Sequence, residues 1–331
     1  MDEKIKLFAN IDIDMRVDAI ISKRIPLLSQ NDANLLCSKG KVKINGQSKG
    51  VKAGQTLQVG DLVEVDFSEL VLSARSDVGA KLLPLKIVFE DENLLIVNKP
   101  RKLHSVTQKE SVEATLADGI VAYCHMCLDA SKNPFEAGLI QRLDYYTNGL
   151  IIATKNRKCH KMLSLMLLSG QIRKTYLALV DGEFVEKDGT KIMHKTIKTA
   201  LKSNDKSVAV IDIETIKDDD KDAEPLTIKE TEVSFEKQIG SKHTLVRASA
   251  SAAYRHQIRA HLAFLGFPLT GDVLYGSKET LITLENSGEK EFSELSQKYG
   301  LAESGYDGFF LCANTLEFVH PTTKEKIALR L

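Results

Sequence analysis

The sequence carries no excess of charge, few cysteines and no long apolar run, and each absence excludes a class of protein. Its 331 residues include 45 basic and 45 acidic side chains, so the formal net charge is zero. Five cysteines in a chain of this length do not make a disulfide framework, and we expect reduced thiols. No stretch approaches the roughly 20 apolar residues that cross a bilayer, and the first ten residues lack the apolar core of a secretory signal. These features predict a soluble cytoplasmic protein, and its length favours about two domains.

The zero net charge hides one basic segment and one acidic segment. A zero charge taken alone argues against a nucleic-acid-binding protein, whose binding domain is usually basic. Between positions 22 and 52, however, Asp32 is the single acidic residue. The basic residues of this segment are Lys23, Arg24, Lys39, Lys41, Lys43, Lys49 and Lys52. The segment 214–236 is acidic instead, and such a run is most often a solvated loop.

Residues 15–68 show the pattern of a compact unit. Apolar residues recur at helical spacing in its first half, and short apolar runs flank turn residues in its second half. Gly40 is typical of a helix end, and Asn45-Gly46 is typical of a tight hairpin turn. The predicted elements are helices over 16–25 and 30–39 and strands over 42–44 and 62–65.

Two helices followed by a small sheet resemble the alpha-L RNA-binding domain. The matching residues are Arg16-Val17-Asp18, Ser29, Leu35-Leu36, 39–46 and Gly60-Asp61. The resemblance implies an RNA-binding domain of the α/β type over 1–68, in which basic side chains bind the RNA phosphates. The expected contact residues are Lys23, Arg24, Lys39, Lys41 and Lys43.

Residues 69–84 lack apolar periodicity and are predicted to be a linker, and a second domain is predicted over 85–331. In that domain strands alternate with helices, which predicts the α+β class. Asn156 is placed to cap one of the helices. The predicted elements are strands over 85–89, 94–97, 150–153 and 176–180 and helices over 156–168 and 254–265. Three further segments are predicted to be loop excursions, namely 183–207, 214–230 and 277–308.

Five segments of the second domain stand out in a fixed order. They are 84–101, which contains Asn98-Lys99-Pro100; 141–150, which contains Arg142-Leu143-Asp144; 174–182; 255–262, followed by Gly271-Asp272 and Leu274-Tyr275-Gly276; and 311–321. Any one of them would be a weak signal, but five in register are a strong one. Together they resemble the RluA family of pseudouridine synthases.

The resemblance implies an isomerase that detaches uracil from its sugar, rotates it and rejoins it through ring carbon five. It implies a mixed, mostly antiparallel sheet in the catalytic domain. With the alpha-L domain in front, it favours ribosomal RNA of the large subunit as the target, with transfer RNA as the alternative. The reaction has no redox step and needs no external energy source, so we expect no cofactor. RNA is the expected partner of a monomer that does not bind membranes.

The resemblance assigns the central role to Asp144. One carboxylate must reach the sugar and the base, where it acts as nucleophile or as base. A carboxylate in a dry pocket tends to take up a proton, which a nearby guanidinium opposes. Arg259, four residues after Arg255 on one face of the predicted helix, is the matching candidate. Alone, Asp144 would be interpreted as a turn aspartate and Arg259 as an exposed arginine, but the agreement of five segments favours the site.

Tyr176 and Arg142 are the remaining candidates. The resemblance places the Tyr176 ring against the flipped uracil, because an aromatic face holds a base without a charge. We expect stacking at the start and proton removal from ring carbon five at the end; a core tyrosine on an alternating strand is the alternative. Arg142 is implied to contact the RNA where the base has left the stack, and a surface salt bridge is its alternative.

Five residues, in four motifs, depart from the pattern of the family. They are Gln141 for His, Asn148 for Ser, Ala253-Tyr254 for Gly-Arg and Cys312 for His. The departures support a second hypothesis, a non-catalytic RNA-binding or ribosome-assembly protein on a degenerate synthase scaffold. Retention of Asp144, Tyr176 and Arg259 argues against it. A hydrolase using Asp144 is a third hypothesis, but it has no supporting second acid and no metal site.

Cys124 and Cys127, on a predicted helix, raise the question of a zinc site. A structural zinc site needs four ligands, which usually come from two such pairs. The sequence contains one such pair. We therefore expect no metal.

Overall fold

The computed structural model describes two units of the chain. They comprise residues 1–81 and 82–331, and the division falls inside the predicted linker 69–84. That linker and the acidic run at 218–224 lie outside the described residues. The described residues are 4–8, 16–24, 30–58, 60–66, 85–106, 114–133, 136–215, 227–250 and 254–331.

In the first unit, two helices accompany a three-stranded antiparallel sheet. The elements are β1 (Lys4–Phe8), α1 (Val17–Arg24), α2 (Gln30–Ser38), β2 (Val42–Ile44) and β3 (Leu62–Asp66). β3 pairs with β1 on one side and β2 on the other, and its Val63 and Val65 are the buried positions of an alternating pattern. The two predicted helices and two predicted strands are confirmed. Strand β1 was not predicted, because five residues give too short an alternation to stand out.

A mixed, mostly antiparallel sheet is the frame of the second unit. Its strands are β4 (Lys86–Glu90), β5 (Leu94–Lys99), β6 (Asn148–Thr154), β7 (Arg173–Asp181), β8 (His194–Ser203), β9 (Val208–Ile211), β10 (Thr227–Ile239), β11 (His243–Ser249), β12 (Leu311–Val319) and β13 (Lys326–Arg330). They pair in the order β4-β5-β6-β12-β7-β11-β10-β8-β9, with β13 beside β12. Among these described strands, β6 and β12 run parallel and the other pairs are antiparallel. The predicted α+β class with a mostly antiparallel sheet is confirmed.

Helices cover this sheet. They are α3 (Leu116–Tyr123), α4 (Arg157–Leu168), α5 (Gln257–Phe264), α6 (Leu281–Asn286), α7 (Lys290–Tyr299) and α8 (Leu301–Ser304), with short 3-10 turns at His125–Asp129, Ile213–Thr215 and Val273–Tyr275. Asn156 caps α4 as predicted, because its side chain accepts a 2.9 Å hydrogen bond from the backbone N–H of Cys159. Within the described ranges, no helix has the length and apolar character needed to cross a bilayer.

The first and third predicted loop excursions are wrong, and most of the second, 216–226, lies outside the described residues. The first contains β8 and the second runs into β10. The third contains α6, α7 and α8, whose Leu284, Phe292 and Leu301 pack in one buried cluster with Phe310 of the sheet region. These elements were missed because their few buried apolar residues are separated by charged ones. The average polarity of each segment is high, although one face of the element is apolar.

The predicted helix that holds Arg259 begins later than expected, at Gln257. The residue before it, His256, has a left-handed backbone with φ of 54° and ψ of 14°, so the helix cannot extend toward the N-terminus beyond Gln257. Arg255 therefore does not share a helix face with Arg259. Its guanidinium instead donates to the backbone carbonyls of residues 204 and 205, at 2.8 and 3.0 Å, in the turn between β8 and β9.

The contact between β6 and β12 requires glycine at one position. Gly149 has a φ of +113°, which L side chains rarely adopt. A Cβ atom there would lie 2.4 Å from the carbonyl oxygen of Ala313. The two parallel strands therefore approach each other closely immediately after the Asp144 turn.

We predict that Gly149→Ala destabilises the second unit more than Gly266→Ala does. Gly266 also has a left-handed φ, +90°, but nothing lies within 4 Å of a Cβ atom built there. Its alanine variant carries backbone strain alone, about 1–3 kcal/mol, whereas Gly149→Ala adds a clash with backbone. The free energy of unfolding in urea measures both. Equal losses in the two variants would contradict the need for close approach at Gly149.

Candidate active site

Asp144 lies in the turn that leads into β6. Its backbone carbonyl accepts a 3.1 Å hydrogen bond from the N–H of Thr147. The preceding residue, Leu143, is buried, and the Ser105 hydroxyl binds its carbonyl at 2.8 Å and its N–H at 3.0 Å. The Asp144 side chain is 30% exposed. Arg142 is exposed beside it and forms no ion pair with any described residue. The turn thus presents a reachable carboxylate on a fixed backbone.

Arg259 connects this carboxylate to a second, buried one. Its Nε and Nη2 donate to the two oxygens of Asp272 at 2.7 and 2.9 Å, and its Nη1 donates to Oδ2 of Asp144 at 3.1 Å. The rings of Phe309 and Tyr275 lie 4.4 and 5.0 Å from the guanidinium carbon. Burial alone would lower the pKa of Arg259, but the bonds to Asp272 and the charges of both carboxylates raise it above its ordinary value. A positive charge is therefore fixed beside Asp144.

Two residues of this cluster were missed by sequence analysis. Asp272 follows the motif segment 255–262, but the sequence does not show that it pairs with Arg259, because this contact depends on the fold. His256 has its Nε2 atom 3.8 Å from Oδ1 of Asp144 and its Nδ1 atom 3.1 Å from the Tyr275 hydroxyl. The sequence did place His256 in one of the five motif segments, 255–262, but that position alone does not indicate what the side chain does.

Tyr176 lies on β7, and its ring is 5% exposed. It is in register with Ala313 of β12 and Ala248 of β11. Burial raises the pKa of its hydroxyl, and the charges of Asp144 and Cys312 add to the rise. The side chain is therefore a neutral phenol within electrostatic range of Asp144. It must release its own proton before it can accept one.

A buried lysine lies close to the Asp144 turn. The Lys99 ammonium donates to the carbonyls of Pro100 and Leu103 at 2.9 and 2.7 Å, and the carbonyl of Tyr145 lies 3.5 Å away. Burial lowers the pKa of Lys99 to about 7, an effect that the charge of Asp144 opposes. Lys99 thus ties the loop after β5 to the turn that carries the carboxylate.

Arg101 connects the same turn to the segment after α8. Its guanidinium donates to the carbonyls of Gly305 and Asp307, each at 2.8 Å, and of Phe309 at 3.1 Å. Its Nε atom also donates to the carbonyl of Tyr146 at 3.4 Å. The end of the predicted loop excursion 277–308 is therefore bound by Arg101, beside the Asp144 turn.

Four of the residues that depart from the family pattern lie in the described part of the structure, and Ala253 lies outside it. Asn148 and Cys312 are buried register partners on β6 and β12, and Oδ1 of Asn148 has no hydrogen-bond partner among the described residues. Burial raises the pKa of Cys312 to about 12. Tyr254 packs against a small apolar cluster behind α5. The Nε2 atom of Gln141 has no hydrogen-bond partner among the described residues.

Cys124 and Cys127 were predicted to lie on one helix, and this prediction is wrong. Helix α3 ends at Tyr123, Cys124 has an extended backbone and Cys127 lies in a 3-10 turn. Burial raises the pKa of Cys127, which disfavours the thiolate form that zinc binds. In the part of the chain that the structure describes, no three His, Cys, Asp or Glu side chains form a group that could hold a metal ion.

The first unit contains the other residues predicted to bind RNA. A cavity of about 320 Å³ is lined by Lys39, Gly40, Lys41, Lys43, Glu64 and Asp66. Lys41 lies 3.9 Å from Asp66, so the lining is not purely basic. Lys23 and Arg24 lie on α1, and their side chains are outside the described part of the structure.

A family model for RNA pseudouridylate synthases matches residues 93–264. This span contains the Asp144 turn, β7 and α5. The chain belongs to the RNA pseudouridine synthase family. It is an isomerase that converts uridine to pseudouridine in RNA, and the predicted reaction class is confirmed.

Similar proteins agree with this family. An RNA pseudouridine synthase of Bacillus subtilis, YlyB, is 28% identical over 94% of this chain and 88% of its own length. Ribosomal large subunit pseudouridine synthase D of Xanthomonas campestris is 26% identical over 94% of this chain and 83% of its own length. Synthase C of Salmonella typhimurium is 26% identical over 97% of this chain and 90% of its own length. The predicted membership of the RluA family is thereby confirmed.

A solved structure shares the fold. The human RNA pseudouridylate synthase domain containing 4 protein has a TM-score of 0.51 and 18% identity, covering 80% of this chain and 92% of that chain. At this identity the likeness concerns the architecture alone.

Two substitutions separate the roles of Tyr176 in this synthase. Tyr176→Phe keeps the aromatic face, so we predict unchanged RNA affinity but a stall before product release, because the proton-transferring hydroxyl is gone. Tyr176→Leu loses base stacking, worth about 1–3 kcal/mol, so its affinity should fall roughly tenfold to a hundredfold. RNA binding and single-turnover product formation are measured for both. Behaviour like the unchanged protein in both variants would make Tyr176 a core residue only.

Proposed function

We propose that this synthase acts on ribosomal RNA of the large subunit, through Asp144 with Arg259 and Tyr176 as its partners. The observation that carries the proposal is the 3.1 Å contact between Nη1 of Arg259 and Oδ2 of Asp144. It pairs a reachable carboxylate with a charge that is itself held in place by Asp272. Preorganised charge of this kind is a major source of catalytic stabilisation.

The reaction defines what Asp144 must do. The bond between uracil N1 and ribose C1′ breaks, and a bond between uracil C5 and C1′ forms. C5 loses one proton and N1 gains one, so substrate and product contain the same atoms. Asp144 serves as nucleophile or base in this exchange. The ring of Tyr176 stacks on uracil, and its hydroxyl takes part in proton removal from C5.

The ribosomal target rests on the names and coverage of the relatives. The two relatives named as large-subunit synthases match 94% and 97% of this chain, so the matched length includes residues of the first unit. The basic segment of that unit fits a role in binding phosphates. Acting on ribosomal RNA, the synthase would work in the cytoplasm. Mapping of pseudouridine in total RNA from cells with and without the gene tests the target, and loss of a site in a different RNA class would overturn it.

We predict that Asp144→Asn keeps the fold and RNA binding but abolishes isomerisation. The amide has nearly the same size as the carboxylate, but it is a far poorer nucleophile or base. Uridine-to-pseudouridine conversion in ribosomal RNA measures the effect on the purified protein. Asp188→Asn, at an exposed turn position, is the matched control and should keep full activity. Comparable turnover by Asp144→Asn would refute the assignment.

The first unit generates a prediction on salt dependence. Lys39 and Lys43 are exposed, and replacing both by Gln in the full chain removes two candidate phosphate contacts. Each lost contact should flatten the slope of log affinity against log salt by about 0.7–0.9. Lys187 and Lys191, exposed in the second unit, give a charge-matched double variant. Equal slopes for the two double variants would count against RNA binding by Lys39 and Lys43.

A further inference from the structure

His256 holds a left-handed backbone conformation immediately before α5. Its φ is 54° and its ψ is 14°, values that residues other than glycine rarely adopt. Strained conformations of this kind persist where the surrounding structure fixes them, and they cluster at functional sites. The side chain is 12% exposed and lies between Asp144 and Tyr275. The backbone thus aims the imidazole at the carboxylate.

The hydrogen bonds of Tyr275 favour one tautomer of His256. The Tyr275 hydroxyl accepts a 2.8 Å hydrogen bond from the N–H of Val208 and lies 3.1 Å from Nδ1 of His256. Among the described residues these are its two partners. Nδ1 is thus the acceptor available to the hydroxyl proton, and the tautomer that uses it leaves Nδ1 unprotonated. Since a neutral imidazole has one donor and one acceptor nitrogen, Nε2 carries the proton.

The same tautomer suits Asp144. Nε2 lies 3.8 Å from Oδ1 of Asp144, and Oδ2 is bound by Arg259. An unprotonated Nε2 would direct its lone pair at the carboxylate and repel it, whereas an Nε2–H directs a donor at it. The distance is longer than a hydrogen bond, and hydrogen bonds at catalytic centres often tighten as the reaction complex forms.

We propose that His256 is a positioning residue for Asp144, oriented by the Tyr275 hydroxyl and the Val208 N–H. The inference rests on the proposed role of Asp144. His256 and Arg259 then each direct a donor at one oxygen of the carboxylate, which fixes its rotation toward the substrate. Because β9 supplies the Val208 N–H, the β8–β9 hairpin helps to set the geometry of the reacting group.

The imidazole is neutral in this arrangement. Burial lowers the pKa of His256; Asp144 and Asp272 oppose this effect, and Arg259 and Arg255 add to it. A neutral donor orients the carboxylate without cancelling its charge. We therefore expect one tautomer across neutral pH, with protonation only below the ordinary histidine value of about 6.5.

Nitrogen-15 NMR of the full-length, histidine-labelled protein tests the tautomer. The chain has 8 histidines, so the signals of His256 are assigned by their loss in His256→Gln. The expected result at neutral pH is a protonated Nε2 and an unprotonated Nδ1. Tyr275→Phe keeps the ring beside Arg259 but removes the hydroxyl, and its His256 should no longer hold a single tautomer. A protonated Nδ1 in the unchanged protein would overturn the proposal.

Two substitutions at position 256 separate the donor from the backbone strain. His256→Gln keeps an N–H near the position of Nε2, whereas His256→Asn suits the left-handed backbone but is too short to reach Asp144. The proposal predicts a higher kcat for Gln than for Asn. The Asn variant should lose about tenfold to a hundredfold in kcat, as for a hydrogen bond to a charged group, with a smaller change in KM for RNA. A higher kcat for Asn than for Gln would mean that position 256 matters only for its left-handed backbone and not for a donor to Asp144.

Asp144→Asn distinguishes failure of this inference from failure of the proposed function. If Asp144→Asn remains active, the proposed role of Asp144 fails, whichever tautomer His256 adopts. If Asp144→Asn is inactive while Tyr275→Phe and His256→Asn turn over like the unchanged protein, the positioning role alone fails.

Discussion

The geometry of the site depends on one buried ion pair, between Arg259 and Asp272. The Asp272 side chain is 2% exposed, and loss of one partner from a buried pair typically costs about 3–5 kcal/mol. Because two nitrogens of the guanidinium bind Asp272, the direction of the third is fixed, and it points at Asp144. A lysine has one nitrogen and could not bind both carboxylates in this way. The stability of the fold and the charge beside Asp144, the proposed catalytic residue, therefore depend on the same side chain.

Segments that are far apart in the chain meet at this ion pair. Phe309, which packs on the guanidinium, follows the three helices that cover one part of the sheet. Arg101 binds the carbonyl of Phe309 from the loop after β5. The Tyr275 ring also lies against the guanidinium, and its hydroxyl accepts a hydrogen bond from the N–H of Val208 of β9. Val208 and Phe309 each directly follow a segment that sequence analysis assigned to a loop, so the ends of those segments help to hold the charged groups in place.

The sequence predicted the residue types of the site better than their contacts. Asp144 and Arg259 could be selected because the order and spacing of the motifs are local properties of the sequence. His256 could not be given a role, since its contacts require a left-handed turn that shortens the predicted helix by three residues. Phe292 illustrates the missed helices: it and Leu295 are the buried apolar residues of α7, and charged residues separate them from the other apolar positions. The N–H of Val208 leaves no side-chain signal at all, because a backbone donor is present in every strand.

The departures from the family pattern leave the charged partners of Asp144 in place. Asn148 and Cys312 are buried register partners on the two parallel strands, so the two replacements meet at one contact between these strands. Tyr254 fills apolar space behind α5. A scaffold without catalytic function would have no need to bury an ion pair that aims a third donor at an exposed carboxylate. The retained pair of Arg259 and Asp144, within a remodelled surrounding, is what an active enzyme requires and a binding scaffold does not.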